Sequence, residues 1–146
     1  MSEYVDVKTE FKSQEALIAA LRETGGWAAD QIEIHATPAS LEDYHGNVRP
    51  DAAHLIIRRK HVGAASNDMG FRRQPDGRYE MLISDFDRGA GEYATMKNPR
   101  YGEAWQKQLR QNYAYHAIRL QQQARGRTVT RQNVNGRVIV TVGGYR

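Results

Sequence analysis

Cysteine is absent from all 146 residues. That excludes a disulfide framework, a thiolate zinc site, a Cys-held iron–sulfur cluster and a cysteine nucleophile. No apolar run approaches the ~20 residues that a membrane-crossing helix needs. The opening Met-Ser-Glu-Tyr-Val-Asp is acidic and lacks a greasy stretch, so no signal peptide is expected and the expected compartment is the cytoplasm. Proline is scarce, with four in the chain. No internal repeat and no low-complexity tract is visible. Acidic residues are nearly missing from the last third. Residues 101–146 carry eight Lys/Arg and one acid, Glu103, whereas residues 1–100 carry a net charge of −3. A basic C-terminal third suits phosphate, an acidic surface or an acidic protein.

What is present reads as one globular domain spanning 1–146. Mean hydropathy is −0.74, but aromatics reach 9%, too rich for a wholly disordered chain. Tyr4, Val5, Val7 and Phe11 stand among polar residues as in a half-buried strand. Ser13 suits an N-cap, Leu17, Ile18 and Leu21 follow at helical spacing, and Gly25-Gly26 suits a C-cap, so a helix is expected over about 14–24. Ile32, Ile34 and Ala36 alternate as a strand that Pro38 is expected to stop. Residues 41–44 suggest a short strand before Gly46-Asn47. The run 53–60 suggests a central strand passing into Arg58-Arg59-Lys60.

Segments 69–74 and 78–84 flank Pro75-Asp76-Gly77 and read as a hairpin. Residues 85–100, with two glycines and Pro99, read as a surface loop, and Asp85 and Asp87 would share one side of a strand. Trp105, Leu109, Tyr113, His116, Ala117, Leu120 and Ala124 form a helical stripe expected to pack on a sheet. Asn135-Gly136 joins two closing strands. Consecutive strands with short turns argue for an α+β fold. Its mostly antiparallel sheet would carry two helices on one face and a C-terminal β-hairpin.

Few residues suggest chemistry. His35, His45, His54, His61 and His116 show no paired helical spacing, so no metal site and no cofactor are expected. Asn67-Asp68-Met69-Gly70-Phe71 places an amide and a carboxylate before a glycine inside a strand. It reads either as an Asx turn or as a polar pocket in which Asn67, Asp68 and His116 gather and Gly70 admits a partner. Arg58, Arg59, Lys60, Arg72, Arg73 and Arg131 are candidates for one anion- or nucleic-acid-binding surface, with Phe71, Tyr79 and Tyr145 available for stacking. Neither a Walker loop nor a nucleophile elbow is present.

Several stretches in order carry a family likeness. They are Tyr44-His45-Gly46, Ala53-His54-Leu55-Ile56-Ile57-Arg58, Asn67-Asp68-Met69-Gly70-Phe71, Asp76-Gly77-Arg78-Tyr79-Glu80 and Leu109-Arg110-Gln111-Asn112-Tyr113-Ala114-Tyr115-His116. The chain resembles the hypothetical chloroplast reading frame thirty-five family, a bacterial and plastid domain of unknown function. The resemblance implies no enzymatic activity and no catalytic residue. It implies a complex, through gene neighbours encoding AAA-type ATPases and small ferredoxin-like proteins. The basic 58–60 stretch and an enlarged 85–100 loop depart from the plastid form and argue against a photosynthetic role.

The expected function is therefore a non-enzymatic binding or adaptor subunit with a partner protein, an AAA-type ATPase being one such partner. A nucleic-acid-binding protein is the alternative. A small enzyme pairing His116 with Asp68 is the third class.

Overall fold

A computed structural model describes residues 3–145. Five strands form one antiparallel sheet: β1 (Tyr4–Lys8), β2 (Glu33–Glu42), β3 (Val48–Ile57), β4 (Met69–Arg73) and β5 (Tyr79–Ser84). Their spatial order is β1-β5-β4-β3-β2, so the first two strands of the chain close opposite edges. Helix α1 (Gln14–Gly25) links them, and Ser13 caps it by accepting from the Ala16 N–H at 3.1 Å. A single helical turn, α2 (Arg59–Val62), follows β3, and another, α3 (Asp85–Arg88), follows β5. The long α4 (Glu103–Gln123) leads to a separate two-stranded ribbon of β6 (Arg127–Val134) and β7 (Arg137–Tyr145). The fold is α+β.

Pleat alternation gives the main sheet two apolar faces. Leu55, Ile57, Phe71, Tyr79, Met81 and Ile83 point toward α1 and form the larger core with Phe11, Leu17, Leu21, Trp27 and Leu109. Leu41, Ala53, Ile56 and Leu82 form a smaller cluster, with Tyr4 and Ala39 packed against it. The turns follow their residue chemistry. Gly77 has φ +90° in the β4–β5 hairpin, and Asn135 and Gly136 have φ +52° and +77°, as a type I′ turn requires.

Three expectations need correction. Pro38 does not stop its strand, because β2 runs through it. As an edge strand, β2 tolerates a missing N–H, and its pairing with β3 slips between Ile34 and Ala39. The strand expected over 53–60 ends at Ile57, so Arg58 precedes a helical turn and His61 lies within that turn. Asp85 and Asp87 lie on α3 rather than on a strand, and both are buried. The 85–100 segment is thus tied down at its root. The Asp87 carboxylate accepts from Ser66 Oγ at 2.6 Å and Ser84 Oγ at 2.8 Å. Burial pushes the Asp87 carboxyl above its ordinary range, with the serine hydrogen bonds opposing.

Helix α4 joins α1 over the larger core through Trp105, Leu109 and Tyr113, and it also packs along α1 and β6. Only Gln106, Leu109 and Asn112 of α4 are buried, and Trp105, Leu109 and Tyr113 alone reach the core. The Tyr113 hydroxyl still holds the start of α1, accepting from the backbone N–H of Lys12 and Ser13 at 2.9 and 3.0 Å.

Gly70 is required by packing inside one chain. A Cβ there would lie 2.7 Å from the Ala53 Cβ and 3.1 Å from both Leu41 methyls. Gly70→Ala should therefore destabilise the fold by about 1–3 kcal/mol through overpacking. Urea unfolding of Gly70→Ala and of the double variant Gly70→Ala/Ala53→Gly checks this. Partial recovery in the double variant is the expected result.

Candidate functional site

The Asn67-Asp68 pair sits at the start of β4, where the ends of β2 and β3 converge. Asp68 is 1% exposed. Its Oδ2 accepts from the Glu42 N–H and from Arg58 Nη1, both at 2.8 Å, and its Oδ1 accepts from the Arg59 N–H at 2.7 Å. Its backbone carbonyl accepts from the Tyr4 hydroxyl at 2.7 Å. Burial raises the Tyr4 hydroxyl pKa, and the Asp68 charge adds to it. Asn67 is fully buried, and its Oδ1 accepts from the Tyr44 N–H at 2.9 Å. One carboxylate and one amide thus join three strands and the turn between β2 and β3. The expected polar pocket is filled by its own chain, and the approach that Gly70 admits is that of Leu41 and Ala53.

Arg58 is committed to the same cluster. It forms a two-point pair with Glu33 at 2.8 and 2.9 Å and bonds the Ser40 carbonyl at 3.1 Å. The Arg58 pKa is raised by the Glu33 hydrogen bonds, with burial opposing and Asp68 adding. A shallow hollow of about 500 Å³ lies over Glu42, Arg58, Arg59, Lys60 and Asp68, and of these Lys60 alone is fully exposed. Arg59 Nη1 bonds the Tyr44 carbonyl at 3.2 Å.

The six basic candidates do not share a surface. β3 and β4 run antiparallel with Ile57 opposite Met69 and Leu55 opposite Phe71. Arg58 therefore sits level with Asp68, whereas Arg72 sits level with His54, roughly 13 Å further along at ~3.3 Å per residue. Arg72 and Arg73 then diverge to opposite faces. Arg72 pairs with Glu80 at 3.1 Å, while Arg73 bonds the Tyr79 hydroxyl at 2.8 Å beside α1. Arg131 is on β6. Phe71 and Tyr79 are buried core residues and offer no stacking surface. The side chain of Tyr145 lies outside the described residues.

His116 and Asp68 have no partner in common. His116 Nε2 meets Glu23 Oε1 at 2.8 Å, and its Nδ1 accepts from Arg119 Nε at 3.2 Å, which assigns the proton to Nε2. Burial lowers the His116 pKa, the Glu23 hydrogen bond opposes that, and Arg119 adds to it. Glu23 also pairs with Arg131 at 2.9 Å, and the Arg131 guanidinium lies 3.9 Å over the Tyr115 ring. The cluster ties α1, α4 and β6 together. The pairing of His116 with Asp68 as a catalytic couple is not formed. Among the described residues, no group of three or more metal-ligating side chains gathers.

Sequence reasoning missed Glu33, Glu42 and Glu23. A signal for Glu33 existed: an acid on one predicted strand and a base at the end of the next form a cross-strand pair when the two run antiparallel. Glu23 carried no such signal, because its partners lie more than 90 residues away.

The largest open feature is the ribbon. Val134, Val138, Ile139 and Val142 are 37–46% exposed, and Ile118 of α4 is 36% exposed nearby in the chain's basic third. Among the described residues, five of the seven large apolar side chains that stand exposed are on α4 and the ribbon. Among the described residues no helix is long and apolar enough to cross a membrane.

A family model described as a protein of unknown function, DUF1257, matches residues 30–142. No curated protein matches the chain. No solved structure matches it either.

Two predictions follow from the Asp68 cluster. Asp68→Ala removes the acceptor shared by Arg58 and two part-buried backbone N–H groups and should cost about 1–3 kcal/mol, whereas Lys60→Ala should stay within about 0.5 kcal/mol in the same urea titration. The second concerns acid. The Arg58 hydrogen bonds hold the Glu33 carboxyl below its ordinary 4.5, with burial opposing and His35 adding. A depressed folded pKa contributes stability that is present above the unfolded value and lost as pH falls through the folded one. The urea midpoint should therefore fall on acidification below pH 4.5, and less steeply in Arg58→Gln.

Proposed function

Since the chain belongs to the DUF1257 family, a family of unknown function, we propose that it is a non-enzymatic binding module, an adaptor subunit that docks a partner protein through its C-terminal ribbon. The observation that carries this reading is the placement of Val134, Val138, Ile139 and Val142 on a ribbon of only two strands. A lone two-stranded hairpin is marginal in water, and exposed branched aliphatics gain by being covered. The remainder of the chain supports the same reading. Its conspicuous polar residues are engaged with one another, as in a scaffold that holds an arm in place. Arg131 fixes the arm to the body through Glu23 and Tyr115.

The resemblance to the hypothetical chloroplast reading frame thirty-five family supports a finer reading, in which the partner is an AAA-type ATPase and the complex is cytoplasmic. A second reading, nucleic-acid binding, rests on Arg58, Arg59, Lys60, Arg72, Arg73 and Arg131 together with the cationic last third. Its six candidate residues are split among the two ends of the sheet and the ribbon. Binding to a duplex that weakens steeply with salt would favour it, because phosphate contacts release counterions.

The test uses the tagged full chain in its source cells. The wild type should co-purify with one partner in near-equal amount, and Val134→Ser/Ile139→Ser should lose that partner while its thermal unfolding stays unchanged. Retention of the partner by the double variant, or purification of the wild type alone, would overturn the reading.

A further inference from the structure

Resting on the docking role of the ribbon, we propose that β7 takes up an additional strand along its outer edge, donated by an extended, acidic segment of a different protein. Antiparallel strands joined by a two-residue loop bond through alternate pairs, beginning with the pair that flanks the turn. Here that pair is Val134 and Arg137, so the pairs Gln132–Ile139 and Thr130–Thr141 exchange backbone hydrogen bonds. The N–H and C=O groups of Val138, Val140 and Val142 then point away from β6. β6 lies along α4, whereas β7 lies outside it, so the outer edge of β7 is open to an incoming chain.

An unpaired edge of this kind is a template for strand addition. Proteins that do not use such an edge blunt it with inward charges, proline or a bulge. Between Arg137 and Val142, β7 has no proline, no charge after Arg137 and a run of Val, Ile, Val, Thr and Val. Its bulge falls at the far end, between the Arg127–Tyr145 and Val129–Val142 pairs, and leaves the central edge straight.

Charge selects the occupant. From residue 104 onward the chain has no acid, and the ribbon and its approach carry Arg125, Arg127, Arg131 and Arg137. Edge-to-edge pairing of two copies would bring like charges together. An acidic strand with alternating aliphatic residues would lay its aliphatics beside Val138 and Val142 on one face and its acids on the opposite face, where Arg137 stands.

The probe is a synthetic peptide alternating valine and glutamate, added to the full chain, with a valine–lysine peptide as control. Amide exchange at Val138, Val140 and Val142 should slow by about tenfold or more with the acidic peptide and stay unchanged with the control. Val138→Pro removes one outward N–H that β6 does not use, and it should abolish the protection while the β6 amides exchange as before. Unchanged exchange at all three positions in the wild type, at peptide concentrations up to about 1 mM, overturns the proposal. So does a dimer in sedimentation that Val138→Pro dissolves, or protection of the same amides by a DNA duplex but not by the peptide. If strand addition fails while Val134→Ser/Ile139→Ser still loses the cellular partner, the docking reading stands without it.

Discussion

A carboxylate taken almost wholly out of water has to be met by donors on every side, and Asp68 is where this chain meets that condition. Three donors from β2, the β3 end and α2 converge on its two oxygens. β2 is an edge strand whose pairing slips, and α2 is a single turn. The charge of Asp68 and the bidentate grip of Arg58 on Glu33 supply the directionality that apolar packing lacks. Asn67 extends the junction to the turn at Tyr44, and Tyr4 brings in the opposite edge of the sheet. The smaller core of Leu41, Ala53, Ile56 and Leu82 closes over the same region, which is why Gly70 has no room for a side chain.

Antiparallel pairing explains the fate of the basic residues. It places the end of one strand beside the start of the next, so two arginine groups at the ends of successive strands are separated by the length of the pairing. Pleating then sends consecutive residues to opposite faces, which divides Arg72 from Arg73. Three of the six, Arg58, Arg72 and Arg131, are balanced within the fold by Glu33, Asp68, Glu80 and Glu23. The net positive charge of the last third is thereby concentrated on α4 and the ribbon, away from the sheet. The polar groups of the sheet are met largely within the fold, whereas the ribbon exposes Val134, Val138, Ile139 and Val142.

Much of the architecture was legible beforehand for local reasons. Ser13 and Gly26 bracket α1 by capping chemistry, and the two hairpins follow from Pro75-Asp76-Gly77 and Asn135-Gly136. These signals act within a few residues and need no tertiary context. Pro38 misled because the rule against proline in a strand depends on whether the strand is an edge, and edge position is a property of the whole sheet. The 85–100 segment is a surface loop beyond α3, as glycine and proline suggest, but those residues do not say whether such backbone is anchored. Two buried aspartates and Ser66 decide that.

The sequence alone determined the first strand and helix, the α+β class, the closing hairpin and the charge asymmetry, since each depends on residue type and short-range spacing. It also singled out Asn67-Asp68 and Gly70 as unusual. Only the tertiary structure decided that those residues bind their own chain, that α4 also lies along β6, and that the arginines are divided among separate regions. The physical reason is range. Capping, pleating and turn formation are settled within a few residues, whereas hydrogen bonds such as Tyr4 to Asp68 or His116 to Glu23 join positions 64 and 93 apart, and no local pattern encodes them.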